Sequence, residues 1–380
     1  MTISTIQEYL TFDDVLILPG YSDFSRSDID LTTKLTRTIE LKLPLVAAPM
    51  DTVCDSKLAI ALGKLGGIGF IHRNLTVADE AGEVKKVKNE GLIAGAAIGA
   101  SNGFEDRIKA LVVAGLDVVV VDSAHGFDKK IIEAIKFIEK TYPQLQVIGG
   151  NIATAEGAKA LIDARVDALR VGMGPGAICT TRIVSGMGVP QLTALFETIK
   201  VAKEAGIPVI ADGGIKYSGD MVKALAAGAS TVMMGSFFSS CEEAPGKITE
   251  LPEEMVPARF KNILKPGIKM YKFKEYRGMG SVAAMQHGAK IKSEGEFHGK
   301  SYKDRVLVAE GVEGLVPIKG SLQSIVDQAV GGIKSGLYYI GAKNLKELTE
   351  KARFIKITQA SLTESHPHDI LITNPGESYT

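Results

Sequence analysis

Cysteine is scarce. The 380 residues contain three, Cys54, Cys179 and Cys241, and none lies in a CxxC pair. That spacing offers neither a zinc-ligand set nor the framework of a secreted disulfide-rich domain, and it points to a reducing, cytoplasmic setting. Net charge is absent too, with 44 Lys plus Arg against 44 Asp plus Glu, so bulk electrostatics draws the chain to neither nucleic acid nor an anionic membrane. No apolar run approaches the ~18 residues of a membrane span. The opening MTISTIQEYLTFDD lacks the basic segment and apolar run of a secretory leader. There is no GxGxxG after a first strand and no GxxxxGK followed by Ser or Thr, which removes the Rossmann and P-loop routes to a nucleotide. Among the six histidines, His72, His125, His287, His298, His366 and His368, none forms an HExxH, and no transition-metal site is implied.

What is present is a folding pattern. Hydrophobic residues make up 45% and charged residues 23%, enough apolar surface for a full core. Many of the 41 glycines follow short apolar runs. Eight such runs occur, at 43–50, 67–72, 94–99, 117–126, 146–154, 168–176, 208–215 and 231–238. Segments such as FEDRIKALVVAGL, KKIIEAIKFIEK, AEGAKALIDAR, LFETIKVAKEAG and GDMVKALAAG lie between them, with apolar residues at helical spacing. Near-continuous apolar strands joined by helices require a parallel sheet covered by helices, and eight units suit a closed α/β (β/α)8 barrel, with a doubly wound open sheet as the alternative. The whole of 1–380 then forms one catalytic domain. Two connections are long. One follows the sixth run and carries GPGAICTTRIVSGMGVPQ; the other spans about 239–319 after the eighth. Its middle, HGAKIKSEGEFHGKSYKDR, is charged and aperiodic and reads as a mobile flap on the active face.

Chemistry concentrates on those loops. Cys179 follows three alternating glycines, Gly172, Gly174 and Gly176, which let the backbone approach a ligand or ion closely. Thr180, Thr181 and Arg182 come next, polar neighbours that a core cysteine rarely has and that suit a reactive thiol. Cys54 and Cys241 read as small buried hydrophobes. The seventh and eighth runs end in Gly213, Gly214, Gly235 and Ser236, where barrels commonly cradle a phosphate with backbone amides. Asp122, at the tip of the fourth run, is placed to accept ribose hydroxyls.

LRVGMGPGAICTTRIVSGMGVPQLTA, with LTFDDVLILPGYSDF, APMDTV, GGIGFIHRN, VDSAHG, GGNIAT, ADGGIKYSGD, YRGMGS, AEGVEGLVPIKG and ESHPHD in order, resembles the IMP dehydrogenase and GMP reductase family of purine-nucleotide enzymes over nearly the whole chain. The resemblance implies that Cys179 attacks C2 of the purine and that Thr181 takes part in proton transfer. It assigns Met50, Asn151, Ala177, Asp212, Gly213, Gly214, Gly235, Ser236, Tyr276, Gly278, Met279 and Glu310 to the nucleotide, and Asp122, Ser123, Gly172 and Gly174 to NAD. A potassium ion would be held by the carbonyls of Gly174, Gly176 and Cys179 with Glu364, Ser365 and His366 of a neighbouring subunit, which implies a homotetramer. YRGMGS, AEGVEGLVPIKG and ESHPHD resemble the dehydrogenase side of the family, acting on IMP; the alternative is reduction of GMP with NADPH.

Three departures from the family pattern stand out. The regulatory CBS pair is missing, since VKKVKNEGLIAGAAIG runs straight on. Ala177 replaces a usual phosphate-contacting serine. The flap lacks the Arg-Tyr dipeptide whose arginine activates water in dehydrogenases; near that position it offers His298, Lys300, Lys303 and Arg305. Thr181 with Glu310 is therefore expected to be the minimum proton relay, with Arg305 as a helper.

Overall fold

The computed structural model describes residues 6–265, 267–295, 308–370 and residue 372. Each of the eight apolar runs contributes one strand: β1 Leu45–Ala47, β2 Ile68–Ile71, β3 Gly95–Ile98, β4 Val118–Val121, β5 Gln146–Ile152, β6 Ala168–Val171, β7 Val209–Asp212 and β8 Thr231–Met234. All pair in parallel, and β8 closes on β1 with Val232 opposite Leu45, so the sheet is a barrel and not an open doubly wound sheet. After the strands, in order, come helices α1 Ser56–Leu65, α2 Val77–Asn89, α3 Phe104–Val113, α4 Lys129–Thr141, α5 Ala155–Asp163, α6 Gln191–Glu204, α7 Ser218–Ala226 and α8 Leu322–Ile340. Asp55, Thr76, Thr154 and Ser321 start four of them by accepting an amide hydrogen bond three residues on, which satisfies donors that a helix start leaves free.

Strand alternation divides the core in two. Val46, Ile68, Phe70, Ala97, Val118, Val120, Ile148, Ala168, Ile210 and Met233 fill the barrel interior, while Leu45, Ile71, Ala96, Val119, Val121, Leu169 and Val232 face the helices. A hairpin pairing Thr33–Lys34 with Glu40–Leu41 adds Leu35 and Leu41 to the inner cluster. Among the described residues no helix is long and apolar enough to cross a membrane.

The insertion between β8 and α8 is more ordered than its sequence suggests. Strands β9 Ile248–Pro252, β10 Met270–Arg277 and β11 Glu313–Pro317 form an antiparallel sheet in that order, with a small core of Val256, Tyr271 and Phe273. The expected aperiodic flap is corrected in its first part, because HGAKIKSEG belongs to a helix, Val282–Gly295. Good helix formers extend a turn begun where Ser281 Oγ accepts from the Ala284 amide. The remainder of that flap, with His298, Lys300, Lys303 and Arg305, lies outside the described residues.

Phe70 is fully buried in the barrel interior. Phe70→Ala is expected to cost about 3–5 kcal/mol, seen in scanning calorimetry as a lower unfolding midpoint. An unchanged midpoint would contradict the packing described.

Candidate active site

The C-terminal ends of the strands open into one cavity of about 470 Å³. β1 brings Met50, β4 brings Asp122 and Ser123, and β5 brings Asn151. The long loop after β6 supplies Gly172, Gly174, Gly176, Ala177, Cys179 and Thr181. Asp212, Gly213 and Gly214 come from the end of β7, Gly235 and Ser236 from the end of β8, and Tyr276, Gly278, Met279 and Glu310 from the insertion. Residues from eight separate stretches of sequence thus share one space. Glu364, Ser365 and His366 do not line it; the His366 ring packs edge-on against Tyr217. Among the described residues no group of three His, Cys, Asp or Glu could hold a metal ion.

Three side chains form a line at the cavity wall. Cys179 Sγ lies 3.2 Å from Thr181 Oγ1, and Thr181 Oγ1 donates to Glu310 Oε2 at 2.8 Å. Backbone bonds between three loops hold it. The Thr180 amide donates to the Glu310 carbonyl, Val312 to Ile178, Gly278 to Val312, and Glu310 to Gly280, each at 3.0–3.1 Å. Arg182 does not join the line. Its Nη2 donates to the carbonyls of Val189 at 2.6 Å and Met173 at 3.3 Å, so it braces the loop.

A buried chain of charges underlies the cavity. Arg170, on β6, donates from Nη1 to Asp122 Oδ1 at 2.6 Å and from Nε to Asp212 Oδ2 at 2.9 Å. Arg73 Nε reaches Asp122 Oδ2 at 3.2 Å, and Asn151 Nδ2 reaches Asp212 Oδ2 at 2.7 Å. Burial alone would push the Asp122 carboxyl up, but the Arg170 and Arg73 guanidiniums outweigh it and hold the group below the usual carboxylate range. Asp122 is therefore an ion-paired carboxylate. The sequence reading missed Arg170 and Arg73; the one signal was a cation inside the apolar run ALRVG. Gly172, at φ +153°, is needed beside this chain because a Cβ there would lie 2.0 Å from the Asp212 carbonyl oxygen. Tyr276, hydrogen-bonded with Ser236, is a neutral phenol whose pKa burial raises well above the usual value. A Cβ on Gly235 would meet its Oη at 2.7 Å.

A family model described as IMP dehydrogenase / GMP reductase domain matches residues 9–368. The chain is 38% identical to the inosine-5'-monophosphate dehydrogenase of Aquifex aeolicus over 502 positions, covering 98% of both proteins. It is 36% identical to that of Chlorobaculum tepidum over 505 positions, covering 99% of both, and 35% identical to that of Halalkalibacterium halodurans over 500 positions, covering 98% of both. These alignments are longer than the 380 residues of this chain, so the relatives carry internal sequence that it lacks.

Cys54 and Cys241 are buried, and Cys179 is partly exposed. Burial raises the Cys54 thiol well above its ordinary value and pushes Cys241 up to about 11. Brief treatment of the native protein with iodoacetamide at mildly alkaline pH should give one adduct, on Cys179, and three after unfolding, as read by peptide mass spectrometry. Equal labelling of Cys54 or Cys241 in the native protein would contradict the structure.

Proposed function

The chain belongs to the IMP dehydrogenase and GMP reductase family, and on that premise we propose that this oxidoreductase converts IMP to XMP with NAD, through a covalent thioimidate on Cys179, in guanine nucleotide synthesis. The observation that carries the reading is the line Cys179, Thr181, Glu310. Cys179 Sγ adds to C2 of IMP while the thiol proton passes to the adjacent ring nitrogen, N3. Bound NAD supplies the acceptor for the hydride, two electrons and a proton, that C2 then loses. Water next adds to C2 and gives one proton to Glu310 through Thr181, which then releases it to solvent; as the C2–S bond breaks, the second proton of that water passes to sulfur, leaving XMP and the free thiol. Splitting the oxidation in this way replaces one hard step by two easier ones.

The donor chemistry fits each ligand group. Gly213 and Gly214 both have positive φ, so their turn can present amides to a phosphate without side-chain obstruction. Ala177 provides an amide there and no hydroxyl. Each oxygen of Asp122 accepts from one arginine and keeps acceptor capacity for a ribose hydroxyl of NAD. The carbonyls of Gly174, Gly176 and Cys179 are neutral oxygen donors suited to a weakly hydrated monovalent cation such as potassium. In this reading Glu364, Ser365 and His366 reach that ion from a neighbouring copy of a homotetramer.

We read 1–380 as a catalytic domain without the CBS pair, working in the cytoplasm. The close junction of α2 and β3 and the extra internal sequence of the relatives support this. Reduction of GMP with NADPH is the second reading, favoured by the lack of an Arg-Tyr dipeptide in 239–319. That reaction shares the thioimidate and needs no activated water.

Incubating the protein with IMP plus NAD, and separately with GMP plus NADPH, tests the choice. NADH formation in the first mixture is the expected result; ammonia release in the second alone would establish the reductase. Cys179→Ala should abolish turnover while calorimetry shows IMP affinity within about threefold of wild type, since the thiol supplies only the covalent step. Retained turnover would remove the thiol from the mechanism.

A further inference from the structure

Tyr276, Gly278 and Met279 of the insertion line the same cavity as Met50 of the barrel, so the insertion must be fixed to the barrel mouth. Toward the loop after β6 the backbone bonds of Thr180 and Val312 do this, but no barrel strand pairs with β10, whose edges are taken by β9 and β11. Toward β1 the join is made by side chains. Asp51 directly follows Met50, and Arg277 lies between Tyr276 and Gly278. Arg277 Nε donates to Asp51 Oδ1 at 3.1 Å, and Nη2 donates to Oδ2 at 2.8 Å, a two-pronged contact that fixes direction as well as distance. The Arg277 amide adds a bond to Thr52 Oγ1 at 3.1 Å. Asn74, just past β2, donates from Nδ2 to Asp51 Oδ2 at 3.1 Å and to the Ala284 carbonyl at 3.0 Å, bringing the first turn of the 282–295 helix to the same carboxylate. The Asp51 side chain is only 5% exposed.

We propose that Asp51 and Arg277, supported by Asn74, are positioning residues that set the width of the nucleotide cleft between Met50 and the 276–279 wall. The proposal rests on reading this cavity as a purine nucleotide site. The backbone bonds that hold the Cys179, Thr181 and Glu310 line join Gly278 and Gly280 to 310–312 and involve neither Asp51 nor the Arg277 side chain, so the clamp acts on the Met50 side of the wall. Loosening the clamp frees Met50 and Tyr276 to shift against the nucleotide while the bonds of Gly278 and Gly280 keep thiol, hydroxyl and carboxylate together.

Asp51→Asn keeps the side chain's shape, Arg277→Met removes the charge, and Arg277→Lys keeps the charge without the fork. In Asp51→Asn and Arg277→Met, KM for IMP and its calorimetric Kd should rise together by about tenfold, with kcat within about threefold of wild type. Arg277→Lys should recover part of the affinity lost in Arg277→Met. A merely structural role would reduce the fraction of competent enzyme, which lowers kcat and leaves KM unchanged. KM and Kd within about twofold of wild type in both Asp51→Asn and Arg277→Met would overturn the proposal. The two claims fail separately: wild-type protein that binds IMP without oxidising it refutes the proposed function, while the Kd comparison still judges the clamp.

Discussion

Main-chain hydrogen bonds between three loops far apart in sequence set the distance between a thiol and a carboxylate. Cys179 lies on the loop after β6, and Glu310 lies near the end of an insertion that begins after β8. The Thr180 and Glu310 pairing, the Ile178 and Val312 pairing, and the bonds of Gly278 and Gly280 to that last segment make one small irregular sheet of the three. Backbone bonds of this kind are insensitive to side-chain rotamer. They therefore hold Thr181 Oγ1 between sulfur and carboxylate more firmly than a side-chain network could. The barrel supplies a rigid rim; the insertion supplies the carboxylate.

Beneath that line, the rim is kept electrically balanced. Two arginines, Arg73 and Arg170, face two carboxylates, Asp122 and Asp212, with Asn151 closing the chain of bonds. Arg170, Asp122 and Asp212, whose side chains are largely buried, would each cost several kcal/mol unless paired and hydrogen-bonded. With every member engaged, the network fixes the tips of β4, β5, β6 and β7 relative to one another. Arg170 occupies the middle because its planar fork can serve two carboxylates at once.

The barrel was legible because its strands are buried on both faces and so appear as uninterrupted apolar runs ending in glycine. Cys179 stood out by its neighbours, since three glycines and two hydroxyls do not surround a core cysteine. Arg170 was hidden by the same reasoning, as a cation within a strand run was read as part of the run. The insertion resisted for a different cause. β9, β10 and β11 owe their pairing to partners tens of residues away, and Lys274 on β10 is buried with its ammonium on the carbonyls of Cys241 and Glu242. No local pattern announces a lysine used in that way. Asp51 likewise sat inside the motif APMDTV without sign that its partner would be Arg277. Most of the ligand assignments came from family resemblance; glycine tips and the thiol were the part that the residues alone indicated.

Rapid mixing of Glu310→Gln protein with IMP and NAD separates the two halves of the proposed reaction. If Glu310 takes the proton of the attacking water through Thr181, NADH should form in a fast burst close to one equivalent per Cys179. A slow steady rate should follow, at least about a hundredfold below wild type, with the nucleotide adduct on Cys179 trapped by acid quench and detected by mass. Equal steady rates in variant and wild type, or slowing of the burst alone with no adduct accumulating, would contradict the role assigned to the Cys179, Thr181 and Glu310 line.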